Sequence, residues 1–173
     1  GDSPRMYVYD ADKKKKWGNV EITVYAKRIS ETGIVASQGV VIGARSEHQD
    51  ASEENPCLGR TYYARLLYDG RAVFQKEVIH EGAYSSNKPS ENNKAQWETG
   101  GTMPKNVWIG MKFVVRTNPD NKSVTLELYR DMTDGENGGK WEKLTEYVDT
   151  GLWSQTDSEI NVVDKCGYGA GKV

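Results

Sequence analysis

The most chemically suggestive residues of this 173-residue chain lie on one predicted hairpin, Arg60 to His80. Two apolar-rich runs flank Asp69-Gly70, a dipeptide that is typical of a two-residue type I′ turn. Counting outward from that turn pairs Tyr63 with Lys76, and side chains alternate across each strand. One face of the hairpin then combines basic, aromatic and apolar residues: Tyr63, Arg65, Leu67, Ala72, Phe74, Lys76, Val78 and, if the strand continues, His80.

These residue types suit the recognition of an acidic sugar polymer. Aromatic rings stack on the apolar C–H faces of sugars, arginine forms forked hydrogen bonds with a carboxylate, and lysine acts as a point charge. We therefore expect a basic groove lined by aromatic residues. The alternative is a solvated sheet face that is held by cross-strand pairs such as Tyr63 with Lys76.

The elements that must position such a groove are β-strands. Tyrosine, tryptophan, threonine, valine and glycine are plentiful, leucine and isoleucine are scarce, and 36% of the residues are hydrophobic. The length predicts a single domain over residues 1–173. A net charge of −2 argues against nucleic acid as a partner of the whole chain, and no apolar run is long enough to predict a membrane span.

About eight strands, separated by turn residues, predict an all-β, antiparallel two-sheet β-sandwich. The predicted strand segments are Met6–Tyr9, Trp17–Ser30, Gly39–Arg45, the central hairpin, a second hairpin over Val107–Asp131, Trp141–Asp149 and Ile160–Val163. Apolar side chains in these segments alternate with polar ones. The polar face outside the central hairpin carries Thr23, Tyr25, Lys112, Arg116, Glu127 and Tyr129. These six residues join the groove if both hairpins lie in one sheet.

The second hairpin resembles the core hairpin of concanavalin A-like and laminin-G-like jelly rolls. Trp108 opens a strand that reads Trp-Ile-Gly-Met-Lys-Phe-Val-Val, and a polar turn follows. The next strand ends in Tyr129-Arg130-Asp131 before a glycine-rich loop, and Trp141 opens the strand after it. The resemblance runs from Arg60 onward and implies two curved sheets whose concave face, or rim loops, binds glycans. Such folds often close with a strand that returns beside the first one, and the sequence ends at Gly-Lys-Val with little left to form it. We therefore expect the domain either to lack this strand or to borrow it from a neighbouring domain or subunit.

The predicted function is an extracellular or cell-surface, lectin-like domain that binds a polysaccharide of acidic character on a concave sheet face. Its predicted ligand-binding residues are Tyr25, Tyr63, Arg65, Lys76, His80, Tyr84, Trp97 and Lys112. Two of them, Tyr84 and Trp97, come from the long polar loop Glu81–Lys105, and loops of this length are often functional. An exposed Trp97 would stack on a sugar, although loop tryptophans also fill cores.

Two other functions stay open at this point. In polysaccharide lyases on similar jelly rolls, a tyrosine or histidine moves the proton at C5 of the sugar, while a cation or amide stabilises its carboxylate. The residues His80, Tyr84, Arg65 and Lys76 would supply those groups. The third possibility is a structural surface or filament subunit that a neighbour's strand completes.

The remaining polar motifs predict a disulfide and offer a candidate calcium site. Cys57 and Cys166 form an even pair in turn-rich segments, which suits an oxidising compartment, and the alternative is two unpaired thiols. A loop rich in oxygen atoms, with Asp131, Asp134, Glu136 and Asn137, offers ligands for Ca²⁺, but turn chemistry explains these residues equally well. No other cofactor is expected. The lysine run Lys13–Lys16 indicates a solvated loop rather than a site for an acidic partner.

Overall fold

A computed structural model describes residues 5–12, 14–46, 54–79, 83–85, 87–89, 97, 101–151 and 153. Within these residues the regular structure is almost entirely β. The strands are β1 (Val20–Lys27), β2 (Gly39–Ala44), β3 (Thr61–Leu67), β4 (Ala72–Ile79), β5 (Ala83–Tyr84), β6 (Trp108–Thr117), β7 (Val124–Asp131) and β8 (Glu142–Asp149). Two short 3₁₀ turns, Pro56–Gly59 and Glu136–Gly138, complete the elements.

The strands form two antiparallel sheets of four strands each. Sheet I has the order β1-β6-β7-β8 and sheet II has the order β2-β3-β4-β5. The predicted all-β architecture of two antiparallel sheets is therefore confirmed. The two predicted hairpins, however, lie in different sheets, because β3 and β4 belong to sheet II while β6 and β7 belong to sheet I. No helix in the described residues has the length and apolar character that a membrane crossing requires.

The core lies between the two sheets and follows the alternation of each strand. Sheet I contributes its predicted apolar face, and the rings of Phe113 from that sheet and Phe74 from sheet II stack with their centroids 5.9 Å apart. Trp153 packs between Tyr62 and Tyr147 at 6.3 and 4.8 Å. Aromatic pairs of this kind add about 0.5–1.5 kcal/mol beyond the burial of their area.

The turn between β3 and β4 has three residues, not the two that the sequence predicted. Leu67 accepts a hydrogen bond from the amide of Gly70 and donates its own amide to the carbonyl of Arg71. Of the three turn residues, only Gly70 has a positive φ, 87°, which matches a type I turn followed by a glycine in the left-handed region. The extra residue moves the register by one, so that Tyr62 rather than Tyr63 pairs with Lys76.

A shift of one residue moves the side chains of a strand to the opposite face. The predicted hairpin face is therefore wrong: Phe74, Lys76 and Val78 point into the core, on the face that Tyr62 shares. The outer face of the same hairpin carries Tyr63, Arg65, Val73, Gln75 and Glu77.

Lys76 enters the core with a charged partner. Its ammonium lies 2.9 Å from the carboxylate of Asp149 in sheet I, and both side chains are nearly inaccessible to solvent. The hydroxyl of Tyr62 donates to the same carboxylate at 2.8 Å, and the amide of Gly151 donates to its other oxygen. Burial, followed by the nearby Asp149 charge, raises the pKa of Tyr62, so the phenol stays a donor. This clasp ties the two sheets together at one end of the sandwich.

One predicted strand is absent. The residues Met6 to Tyr9 have no regular secondary structure and are exposed to solvent. A second predicted strand, Ile160–Val163, lies outside the described residues.

The clasp predicts that Lys76→Met destabilises the fold by about 3–5 kcal/mol, because the Asp149 carboxylate would then stay buried without a cation. Urea or thermal unfolding measures the loss. The control is Lys14→Met, which breaks an exposed ion pair with Asp12 and is expected to cost less than about 1 kcal/mol. Equal losses in both variants would contradict a buried clasp.

Candidate functional site

A row of polar residues crosses the outer face of sheet II, where the core does not cover it. We call Tyr63, Arg65, Gln75 and Glu77 the outer strip. The first two come from β3 and the last two from β4, and Tyr63 and Gln75 are directly paired neighbours across the two strands. The strip is recessed, since Tyr63, Arg65 and Gln75 are only half-exposed and Glu77 is completely buried.

Arg65 lies in the middle of the outer strip and is held by neutral oxygens. Its Nη1 donates to the side-chain oxygen of Gln75 at 3.2 Å, and its Nη2 donates to the carbonyl of Ser37 at 3.1 Å. These two contacts orient the guanidinium. Gln75 is oriented in turn, because its amide nitrogen lies 3.4 Å from the carbonyl of Ser85.

The ring of Tyr63 leans across β2 into space that a glycine provides. A Cβ atom on Gly43 would lie 3.2 Å from a ring carbon of Tyr63, tighter than most such contacts. The hydroxyl of Tyr63 donates to a carboxylate oxygen of Glu77 at 2.7 Å. The position of the ring therefore depends on the absence of a side chain at Gly43 and on the hydrogen bond to the buried Glu77 carboxylate.

Local segments form the walls of the outer strip. The 3₁₀ turn Pro56–Gly59 packs against β4, and the backbone of Lys88 pairs with Phe74 along the far side of that strand. The buried side chains of Thr61 and Val73 form part of the floor. These segments cover part of the face, and Tyr63, Arg65 and Gln75 remain partly exposed.

The outer face of sheet I is different, because each of its described central cations contacts a carboxylate. Arg116 and Lys143 both bind Glu127 at 2.6 Å, and Lys143 also binds Glu146. Burial alone would raise the pKa of Glu127, but these two hydrogen bonds lower it. Lys112 lies 3.4 Å from a carboxylate oxygen of Glu21. This face corresponds to the solvated alternative of cross-strand pairs.

The predicted ligand residues Tyr25 and Lys112 both lie on sheet I. The ring of Tyr25 and that of Trp141 pack edge to face above Gly110, where a Cβ atom would collide with the Tyr25 ring. The ammonium of Lys112 lies 4.3 Å from the centre of the Trp141 ring. These contacts place Tyr25 and Lys112 in a packed cluster, on the opposite side of the sandwich from Arg65.

Asp131, at the end of β7, organises the loop that follows. Its two carboxylate oxygens accept hydrogen bonds from the Tyr25 hydroxyl and from the amides of Thr133, Gly135 and Lys140, as well as from the Thr133 hydroxyl. Burial alone would raise the pKa of Asp131, but the hydrogen bonds from Thr133 and Lys140 outweigh it and hold the pKa well below its usual range.

This network accounts for the oxygen-rich loop by turn chemistry. The calcium candidates Asp134 and Asn137 adopt positive φ in the turn, and Glu136 opens the 3₁₀ turn. No group of three or more histidine, cysteine, aspartate or glutamate residues is arranged to hold a metal ion within the part of the chain that the structure describes.

Several other predicted site residues do not join the outer strip. Lys76 faces the core, so the predicted pairing of Lys76 with Arg65 in one groove is wrong. Trp97 is 6% exposed and lies in the core beneath the Arg130 guanidinium, so its ring is not a platform for sugars. The backbone of Tyr84 pairs with Glu77.

Three predictions rest on residues outside the described part of the chain. His80 lies there, and so does Cys166, the predicted disulfide partner of Cys57. Cys57 itself is in the 3₁₀ turn Pro56–Gly59. The disulfide and the role of His80 stay predictions.

Sequence reasoning missed Gln75 and Glu77 as members of the site. A two-residue turn places both on the other face of the hairpin. The signal for a three-residue loop is weak in the sequence, since Asp-Gly is compatible with both turn types.

Comparisons of the chain with models of protein families, with curated proteins and with solved structures find no match.

The Asp131 network predicts that Asp131→Asn destabilises the protein by about 2–4 kcal/mol at neutral pH, since a buried acceptor of several hydrogen bonds is lost. The folded-state pKa of Asp131 lies below the unfolded-state value of about 3.9, so its contribution is complete at neutral pH and fades as the pH falls below about 4. Unfolding curves of both proteins from neutral to acidic pH should therefore converge.

The matched control is Asp134→Asn. Asp134 is an exposed residue of the same loop, and asparagine also adopts the left-handed backbone conformation of this position readily. It should change the free energy of unfolding by less than about 0.5 kcal/mol. If both variants behave alike, Asp131 does not organise the loop.

Proposed function

We propose that this protein is a carbohydrate-binding domain that recognises an acidic polysaccharide on the outer strip of sheet II. One observation carries the proposal. The guanidinium of Arg65 is half-buried, oriented by the neutral oxygens of Gln75 and Ser37, and adjacent to an aromatic ring that is fixed by Gly43 and Glu77.

An oriented guanidinium suits a sugar carboxylate. Arginine presents parallel N–H groups that match the two oxygens of a carboxylate, and a fixed fork loses less side-chain entropy on binding than a mobile one. The recess around Arg65 lowers the local screening by water, which strengthens a charge-assisted hydrogen bond. A uronate residue of a polysaccharide offers such a carboxylate at regular intervals.

The ring of Tyr63 suits the rest of the sugar. Aromatic faces pack against the apolar C–H faces of pyranose rings, and the hydrogen bond to Glu77 leaves the phenol oxygen able to accept from a sugar hydroxyl. Gln75 adds an amide beside Arg65. The strip thus combines one cation, one ring, one amide and one buried carboxylate across two adjacent strands.

Sheet I is disfavoured as the site because of charge. The described central cations of the sheet I face contact carboxylates of the same face, so an anionic ligand would have to compete with Glu21, Glu127 or Glu146. The proposal therefore moves the predicted site away from Tyr25 and Lys112 and keeps Tyr63 and Arg65.

The proposal includes the wider setting of the domain. The sandwich is of the concanavalin A-like jelly-roll type, and the protein is located outside the cell or on its surface. A disulfide between Cys57 and Cys166 belongs to the same oxidising environment. Support comes from the two antiparallel sheets and from the resemblance of the second hairpin.

A second candidate function, a polysaccharide lyase, is favoured by the contact between Arg65 and Gln75. A guanidinium and an amide 3.2 Å apart are the groups that would stabilise a uronate carboxylate while a base removes the C5 proton and the C4–O bond breaks. Of the four predicted catalytic residues, Lys76 is excluded by its position in the core. His80 and Tyr84 remain the candidates for proton transfer.

The binding proposal predicts that Arg65→Ala weakens retention on polyuronate gels by about tenfold to a hundredfold, which corresponds to the loss of one charge-assisted hydrogen-bonding group. Arg65→Lys keeps the charge but loses the fork, so it should restore only part of the affinity. Affinity electrophoresis on polyuronate and neutral glucan gels gives the dissociation constants.

The control is Arg116→Ala, the same change on the outer face of sheet I, which should leave retention unchanged. Thermal unfolding checks that all variants are folded. Retention that survives Arg65→Ala, or falls equally with Arg116→Ala, would exclude the outer strip as the site.

Gly43→Ala is a second test, because the added Cβ atom would lie 3.0 Å from the Thr61 methyl group and 3.2 Å from the Tyr63 ring, so these side chains must shift by a few tenths of an ångström. We expect about a tenfold weaker affinity for polyuronate and little change in stability, as Gly43 is exposed on an edge strand. An unchanged affinity would mean that the Tyr63 ring does not contact the sugar.

Absorbance distinguishes the lyase from the binding domain. A lyase forms an unsaturated uronate, so ultraviolet absorbance grows during incubation with polyuronate and is abolished by His80→Ala or Tyr84→Ala. Retention without growth of absorbance supports the binding domain.

A further inference from the structure

The chain before β1 differs in charge from the rest of the protein. We call residues 5–17 the basic segment, and the structure describes all of them except Lys13. The segment contains five basic and two acidic residues, a net charge of +3, whereas the complete chain has a net charge of −2. All other residues together therefore carry −5. A basic segment on an otherwise acidic protein is typical of a contact with an anionic partner.

The basic segment also exposes large apolar side chains. Met6 and Val8 are 83% and 70% exposed, and they alternate with Tyr7 and Tyr9, which the protein covers more. Alternate residues of an extended backbone point to the same side, so Met6 and Val8 face the solvent together. Trp17, at the other end of the segment, is 49% exposed. Soluble proteins rarely leave adjacent apolar side chains in water unless they bind something.

A closed loop brings the apolar and the basic residues together. The carboxylate of Asp10 accepts the backbone amides of Lys14 and Lys15 at 3.0 and 2.9 Å, so the run that precedes Asp10 and the lysines that follow it start from neighbouring points. The ammonium of Lys14 lies 3.1 Å from Asp12, but both side chains are highly exposed. Water and salt screen such a pair strongly, so another anion can replace the aspartate.

The basic segment is attached to one end of the sandwich. The guanidinium of Arg45 donates to the carbonyl of Gly18 at 2.6 Å and to the hydroxyl of Thr117, the last residue of β6, at 2.9 Å. These contacts fix the chain directly after Trp17. The exposed tryptophan therefore lies beside a rigid part of the protein, at the end where β1 begins and β6 ends.

We propose that the basic segment binds the surface of a membrane that contains anionic phospholipids. Met6 and Val8 enter the region of the acyl chains, Trp17 lies at the level of the headgroups, and the lysines contact the lipid phosphates. The affinity of such interfacial segments depends on their buried apolar area and on their attraction to anionic lipids. Tryptophan prefers the headgroup level because its ring is amphipathic.

A lipid surface suits the basic segment better than a soluble polyanion does. A nucleic acid or another polyanion would neutralise the lysines but would leave Met6 and Val8 in water. A membrane offers phosphates to the lysines and acyl chains to the apolar residues. The acidic remainder of the protein is repelled by the same surface, so the domain is expected to dock with this end towards the membrane.

The apolar contribution is tested by cosedimentation with vesicles of equal parts phosphatidylglycerol and phosphatidylcholine. We expect the wild-type protein to bind, and Met6→Ser with Val8→Ser to raise the dissociation constant by at least about tenfold, although the net charge is unchanged. The matched control is Ile34→Ser with Val35→Ser, a second exposed apolar pair in the loop that follows β1, which should bind as the wild type does.

The basic contribution is tested by Lys14→Gln with Lys15→Gln, which should also weaken binding by about tenfold or more, since each lysine near an anionic surface contributes about fivefold. The control, Lys122→Gln with Lys140→Gln, removes the same charge from two exposed lysines elsewhere and should change binding little. Vesicles of phosphatidylcholine alone should bind the wild type more weakly than the anionic vesicles do.

The membrane site is separate from the outer strip. All substituted residues are exposed, so thermal unfolding should show that each variant is folded. Met6→Ser with Val8→Ser should leave retention on polyuronate gels unchanged. A failure of vesicle binding would therefore not affect the proposed carbohydrate site, and a failure of polyuronate binding would not affect the membrane site.

Three results would overturn the membrane proposal. The first is a wild-type protein that does not bind the anionic vesicles, including one that binds heparin instead. The second is vesicle binding that survives Met6→Ser with Val8→Ser, which would indicate a purely electrostatic contact. The third is a loss of binding that is equal in a variant of the basic segment and in its control.

Discussion

The register of the β3–β4 hairpin is the constraint on which the rest of this structure depends. The left-handed conformation of Gly70 makes the turn three residues long, and that single residue decides which side chains enter the core. Moving the pairing by one would carry Phe74 into solvent, at a cost of about 1.5–3 kcal/mol for its lost burial alone. It would also expose Lys76 and leave Asp149 buried without a cation. The core and the clasp therefore select the same register, and Arg65 is placed outside as a result.

Two buried carboxylates hold the ends of the sandwich by the same physical means. The Asp149 carboxylate accepts hydrogen bonds from an ammonium, a phenol and a backbone amide. The Asp131 carboxylate accepts hydrogen bonds from a phenol, a hydroxyl and three backbone amides. Neither carboxylate is left without donors, which is the condition under which a buried charge is tolerated. The first connects the sheets and the second orders a loop. Both act on the scaffold, so the polar residues that are available for a ligand lie elsewhere.

The polar residues that were expected to line a single groove lie instead on the outer faces of two different sheets. Sheet I neutralises its own cations through cross-strand pairs, and lysines lie over its tryptophan rings. Sheet II carries the recessed outer strip, where Arg65 is oriented by neutral oxygens. A face with internally balanced charge attracts an anion weakly, because binding must first break existing pairs. The proposed site lies on sheet II because Tyr63, Arg65 and Gln75 are oriented there on two adjacent strands.

The sequence alone determined the strands whose side chains alternate clearly, such as β1, β6 and β7, because a period of two over eight or more residues leaves little choice of structure. It also determined the apolar face of each of these strands and the presence of both hairpins. Only the tertiary structure decided that the hairpins lie in different sheets and that Lys76 points into the core. These outcomes depend on one turn residue and on the partner Asp149, which is far away in the sequence. The exposure of Met6 to Tyr9 was likewise beyond the sequence, because strand propensity predicts an extended backbone but names no neighbour to pair with.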